Sequence, residues 1–160
     1  MPRKNVKLVR PKAKWSHENK GCLFTTSADK INGLFQGGSN IVPATTTQGT
    51  RTVGNFTITV PCTTSATYPY YWALVYCPQG TAVNNLFATS GDLEGSLYEP
   101  NQYVLASGMS DADAGPIRIK SRMKRVLHSG DFISLILGCP GEIGSATPIR
   151  CLVSYSIKYN

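Results

Sequence analysis

Residues 68–79, YPYYWALVYCPQ, are the densest run of strand-forming side chains in the sequence and restrict the fold more than any other stretch. In an extended chain Tyr70, Trp72, Leu74 and Tyr76 lie on one side, and Tyr71, Ala73, Val75 and Cys77 on the other. Neither side is polar. A surface strand of a soluble monomer alternates apolar with polar residues, so this one is expected at the centre of a sheet, with a second sheet on one face and a neighbouring subunit on the other. Tyr70, Tyr71 and Trp72 are therefore candidate subunit-interface residues, and self-assembly is expected.

At 160 residues the chain can bury roughly 70% of the surface of its unfolded form, which is enough for one core without staples. Fifteen glycines and ten prolines punctuate it, and no segment repeats apolar residues at i, i+3, i+4 and i+7 over three turns. Strands are expected at residues 22–26, 51–61, 70–77, 102–107, 117–123, 132–137 and 149–159. The strand at 51–61 is interrupted at Gly54, and the last one turns Ile149, Cys151, Val153, Tyr155 and Ile157 inward. Gly33, Gly37 and Gly38 are read as irregular backbone, Thr45 to Thr47 as a loop, and residues 110–115, SDADAG, as an acidic turn. Turns are also expected at Pro78-Gln79-Gly80 and at His128-Ser129-Gly130-Asp131. Seven or eight strands suit two packed antiparallel sheets, and the long connection at 84–99 favours a jelly roll over an immunoglobulin-like sandwich. The expectation is all-β: a single jelly-roll β-sandwich of about eight antiparallel strands over residues 21–160, preceded by an arm over residues 1–20.

Charge is concentrated in that arm. Arg3, Lys4, Lys7, Arg10, Lys12, Lys14 and Lys20 supply seven of the sixteen cations, against the single acid Glu18. A near-neutral body with a cationic arm points to a polyanionic partner, nucleic acid before membrane, because the arm has no amphipathic period. Its one aromatic, Trp15, either stacks on a base or pins the arm beneath the domain, and pinning asks only for burial. A second cationic feature is the alternation at 117–124, with Arg118, Lys120, Arg122 and Lys124 on one face and Ile117, Ile119, Ser121 and Met123 on the other. Such a stripe is either a solvated face or a contact for phosphates or for a sulfated surface glycan.

Catalytic chemistry is not indicated. Ser129 next to His128 is a neighbour in sequence only, the glycines at 33–38 lack the Lys-Ser/Thr of a phosphate loop, and Asp111 with Asp113 lacks the distal Glu of a calcium loop. Cys22, Cys62, Cys77, Cys139 and Cys151 include no C-x-x-C pair, and His17 and His128 stand at no zinc-ligand spacing. Free thiols, no metal, no cofactor, no enzyme activity and no membrane insertion are expected, with synthesis in a reducing compartment.

The block YYWALVYCPQGT, followed by GSLYEPNQYVLASG and SDADAGPIRIKSRMKRVLHSGDFISLIL, resembles the capsid proteins of small circular single-stranded DNA viruses that encode a replication initiator, circovirus-like in type. The resemblance spans roughly residues 70–137. Its most specific parts are Leu97-Tyr98-Glu99-Pro100-Asn101-Gln102, Gly115-Pro116-Ile117-Arg118 and Ser129-Gly130-Asp131 before an apolar strand. It implies a single jelly roll, a closed icosahedral shell of sixty copies, a basic arm facing a single-stranded DNA genome, Tyr98 at a subunit interface, and residence in the virion and, during assembly, the host nucleus. Arms of this group are often longer and richer in Arg, whereas this one has only Arg3 and Arg10. A carbohydrate- or receptor-binding jelly roll of lectin or cytokine kind, and a standalone nucleic-acid-binding β-domain, are the competing readings.

Overall fold

The computed structural model describes residues 14–25, 34–61, 70–81, 103–111, 116–139 and 148–160. Within these, eight strands follow in chain order: β1 (Ser16–Thr25), β2 (Phe35–Val42), β3 (Arg51–Val60), β4 (Tyr70–Cys77), β5 (Tyr103–Ser110), β6 (Ile117–Leu127), β7 (Phe132–Cys139) and β8 (Pro148–Tyr159). They pair as two four-stranded sheets, ordered β1-β8-β3-β6 and β2-β7-β4-β5, and every pair is antiparallel. All connections change sheet except β4 to β5, which is the strand interleaving of a jelly roll.

Alternation builds the core between the sheets. Phe24, Val53, Phe56, Ile58, Ile119, Val153, Tyr155 and Ile157 from one sheet meet Tyr70, Leu74, Tyr76, Ile133, Leu135 and Leu137 from the other. The inward set expected of the last strand is buried throughout. β4 is internal to its sheet, as its two apolar sides require. Its far side departs from expectation, because Ala73, Val75 and Cys77 form a second buried cluster with Ile136 of β7 inside the single chain. No neighbouring subunit is needed to dry that face. Tyr70 lies in the inter-sheet core, so it presents almost no surface to a partner, while Tyr71 and Trp72 remain half-buried. Tyr98 and the connection at 84–99 lie outside the described residues, as do Cys62, Asp113 and the arm cations Arg3, Lys4, Lys7, Arg10 and Lys12.

Two segments read as irregular or arm-like are strands. β2 contains Gly37 and Gly38, which sit opposite Leu137 and Ile136 in the ladder with β7. Its ends are fixed by buried Phe35, Ile41 and Val42, so pairing to a buried neighbour overrides the poor strand propensity of the glycines. β1 begins at Ser16, before the expected Cys22, and pairs with β8 from Ser16 opposite Ile157 to Thr25 opposite Pro148. Its first residues are polar because β1 is an edge strand.

The interruption at Gly54 is a change of face. Val53 points inward, and so do Phe56, Ile58 and Val60, which a regular strand cannot achieve. Asn55, with φ of 54°, takes up the extra residue, and both neighbouring ladders shift register there.

One end of the sandwich is tied by a buried acid. Asp131 closes the β6–β7 turn, and its carboxylate accepts hydrogen bonds from the His128 N–H (2.8 Å), the Tyr76 hydroxyl (2.8 Å) and the Gln79 N–H (3.1 Å). Its backbone carbonyl accepts from Arg51 (2.9 Å), whose guanidinium also donates to the Pro43 carbonyl (2.5 Å). Ser129 donates to the Thr45 carbonyl (3.1 Å), as does the Gly130 N–H (2.9 Å). Ser129 is thus a turn residue. Gly130 has φ of 84°, and a Cβ there would come within 2.4 Å of Gln79, so only glycine fits.

Candidate nucleic-acid interface

The outward face of the β1-β8-β3-β6 sheet is built by the same alternation that fills the core. Opposite each inward Ile of β6 stands a cation, and Arg118, Lys120, Arg122 and Lys124 are all exposed. The register extends this stripe across the sheet. Arg118 lies beside Thr59, then Leu152, then Gly21; Lys120 beside Thr57, Ser154 and Asn19; Lys124 beside Gly54, Ser156 and His17. Two further cations of β8 share this face, Lys158 next to Thr52 and Arg150 next to Leu23. Six cations of one sheet therefore stand on one side, interleaved with hydroxyls of Thr52, Thr57, Thr59, Ser154 and Ser156.

No carboxylate offsets them among the described residues. Of the three described acids, Asp131 is buried at the turn, Asp111 follows β5 of the other sheet, and Glu18 pairs with Tyr155 on the inward side of β1. Burial, with Glu18 next in effect, pushes the Tyr155 hydroxyl up to about 12, as a nearby anion would. Two cations about 7 Å apart on one strand face repel by about 0.6 kcal/mol even in water. Six cations on one sheet face, with no carboxylate beside them among the described residues, give that face a positive potential that attracts anions.

Trp15 joins this face instead of going under the domain. The residue is 43% exposed, and Lys124 Nζ lies over its ring at 5.5 Å from the centroid. Gly54 makes room for that reach. A Cβ at Gly54 would stand 2.8 Å from Lys124 Cγ and 2.7 Å from the Met123 carbonyl oxygen, so the stem of Lys124 lies where a side chain of β3 would be. Gly54→Ala is expected to cost about 1–3 kcal/mol, since a backbone oxygen must move; a urea midpoint equal to that of the parent would show that the bulge yields freely.

Comparison with known proteins adds no name to this surface. No protein-family model matches the chain, and no curated protein does. Among solved structures, a chain from Desmodium yellow mottle tymovirus is similar at 12% identity and a TM-score of 0.45, covering 100% of this chain and 95% of that one. A chain from the disulfide-linked pili of Bacillus endospore appendages is similar at 8% identity and a TM-score of 0.35, covering 94% and 91%. A chain of infectious bursal disease virus, Gt strain, gives 8% identity and a TM-score of 0.21, covering 100% of this chain and 45% of that one.

Some groups singled out by the sequence do not meet at the face. Met123, which alternation places on the face of Ile117 and Ile119, is 37% exposed. Arg125, next to the stripe, turns inward instead, pairing with Val53, and its guanidinium stacks 4.3 Å from the Tyr76 ring centroid and 5.6 Å from that of Tyr103. There it closes the gap between β6 and β5, where cation–π contact lets a charge sit at the margin of the core. Cys22, Cys77 and Cys151 are free, buried thiols, and Cys139 is buried with them. Burial pushes Cys77 up to about 11 and Cys151, opposite Cys22, up to about 12, which makes them poor nucleophiles. Arg150 and Lys158 were the residues missed as site members. Their outward alternation was readable, but their placement beside β6 needed the strand order.

Proposed function

We propose that this chain is a viral coat protein that assembles into a closed shell and holds a nucleic acid against the outward face of its β1-β8-β3-β6 sheet. The observation that carries the reading is that face, on which six cations and a field of hydroxyls stand with no described carboxylate. Side chains of this kind bind phosphates without reading bases, which suits a protein that must accept a whole genome. The jelly-roll strand order and the motif resemblance at residues 70–137 support the shell role. In the finer form of the proposal the shell has sixty copies and the genome is single-stranded DNA. A net charge of +7 per chain then supplies about 420 positive charges, against one phosphate per nucleotide. Structural work without catalysis, passage through the host nucleus and attachment to sulfated glycans belong to the same proposal.

In this proposal the arm cations Arg3, Lys4, Lys7, Arg10, Lys12 and Lys14, which precede Trp15 and β1 in the sequence, add to the charge offered to the nucleic acid. Light scattering and negative-stain microscopy of the purified full chain should show closed particles that carry nuclease-protected nucleic acid. Deleting residues 2–13 should remove most of the co-purifying nucleic acid while leaving the unfolding midpoint in place, because β1 stays intact. Monomer at every pH and salt concentration would overturn the shell reading, and unfolding on deletion would make the arm a structural element.

A further inference from the structure

We propose that Trp15 is a base-stacking platform, so that the partner of the cationic face is a nucleic acid with unpaired bases. This rests on that face being a nucleic-acid contact and adds which kind of nucleic acid it takes. Among the described residues Trp15 is the one Phe, Tyr or Trp on the cationic side: Phe24, Phe56 and Tyr155 of the same sheet are buried in the core, and exposed Tyr159 pairs with Arg51 in the inward phase of β8. Trp15 itself is 43% exposed at the entry to β1, preceded by Lys14. Burial does not explain its position, because a ring that pins a segment is covered.

The surroundings hold the ring in place without hiding it. Lys124 Nζ stands 5.5 Å from the centroid, with the lysine stem lying over Gly54. Two residues further on, His17 Nδ1 is 3.3 Å from the Ser156 hydroxyl, which fixes the start of β1 against β8. A cation at one side of an indole leaves the exposed part for a second flat partner, and the same cation is placed for the phosphate of the nucleotide that stacks. Duplex DNA keeps its base faces inside the stack, and a sulfated glycan has no π face, so neither can use the ring in this way. Phosphate contacts from Lys14 and Lys124 with one stacked base make a unit that distinguishes single strands from other polyanions of equal charge.

The test uses the full chain stripped of nucleic acid in high salt, and three probes: an oligothymidylate, an abasic strand of the same length and charge, and heparin. The parent should bind the oligothymidylate roughly ten-fold more tightly than the abasic strand. Trp15→Ala should erase that difference, leaving affinity for the abasic strand and heparin, and the salt slope, unchanged. Trp15→Phe should keep part of the preference, and unchanged circular dichroism spectra would show both variants folded. Equal binding of the first two probes by the parent, or an equal loss for all three probes in Trp15→Ala, overturns the stacking role while the cationic-face reading survives. Failure of the parent to bind any of the three overturns both.

Discussion

Asp131→Asn is expected to lower the thermal unfolding midpoint by roughly 6–12 °C, the largest stability loss of any isosteric change in the described residues. The carboxylate has three donors from three parts of the chain: the His128 N–H at its own turn, the Tyr76 hydroxyl on β4, and the Gln79 N–H in the turn after β4. An amide offers one acceptor oxygen where two are in use, so at least one donor would face an N–H₂ group. Hydrogen bonds to a charged acceptor contribute about 1.5–3 kcal/mol each, and a buried donor left unpaired costs a similar amount, which places the loss at about 3 kcal/mol. For a domain of this size each 1 kcal/mol moves the midpoint by about 2–4 °C. Ser129→Ala removes one bond to the Thr45 carbonyl, which keeps the Gly130 N–H, and should shift the midpoint far less.

The same site sets an acid limit. Burial alone would raise the Asp131 carboxyl, but the His128 N–H, the Tyr76 hydroxyl and the Gln79 N–H together outweigh it and hold it below the usual carboxylate range. A carboxyl held low in the folded state stabilises fully above its unfolded value near 3.9, and that contribution fades as pH falls through the lower folded value. The gap in stability between the parent and Asp131→Asn should therefore be constant from pH 5 to 8 and narrow below about pH 4. A gap independent of pH down to 2 would mean that the turn geometry, not the charge, supplies the stability.

Alternation told the fold wherever one face is buried. The runs at 117–123 and 149–159 and the two-sided apolar run at 70–77 each became strands of the expected faces, with Met123 the exposed exception, because a slip of one residue would expose a whole apolar set. What alternation does not carry is pairing. β2 was hidden because Gly37 and Gly38 have no propensity of their own and are held by β7. The change of face in β3 depends on Asn55 adopting φ of 54°, and Asn-Phe-Thr alone gives no sign of it. The buried cluster of Ala73, Val75, Cys77 and Ile136 shows why an apolar second face did not require a partner: the chain covers it alone. At the candidate interface, the stripe on β6 was readable, and Trp15 was singled out but expected to be covered. Arg150 and Lys158 became neighbours of that stripe only through the order β8-β3-β6, and sequence distance says nothing of that order.

Replacing Arg118, Lys120 and Arg150 together by Gln should weaken single-stranded DNA binding about 100-fold in 0.1 M salt. Each phosphate contact on a single strand contributes about 0.7 to the slope of log affinity against log salt, so three lost contacts flatten it by about 2 units, and at a tenth of molar salt that is two decades of affinity. The three positions span the face, two on the edge strand β6 and one on β8 across β3. All are exposed, so no core contact is lost. Stability should move the other way. Removing three like charges relieves repulsion of about 0.6 kcal/mol per close pair, and the unfolding midpoint should hold or rise slightly. That opposition separates a functional surface from a solvated one. A solvated face that only keeps the sheet from pairing wrongly would leave DNA affinity and slope untouched, and the variant would instead lose solubility. If affinity, slope and solubility all match those of the parent, the cations of this sheet neither bind nucleic acid nor guard its edge, and the proposed role of this face fails.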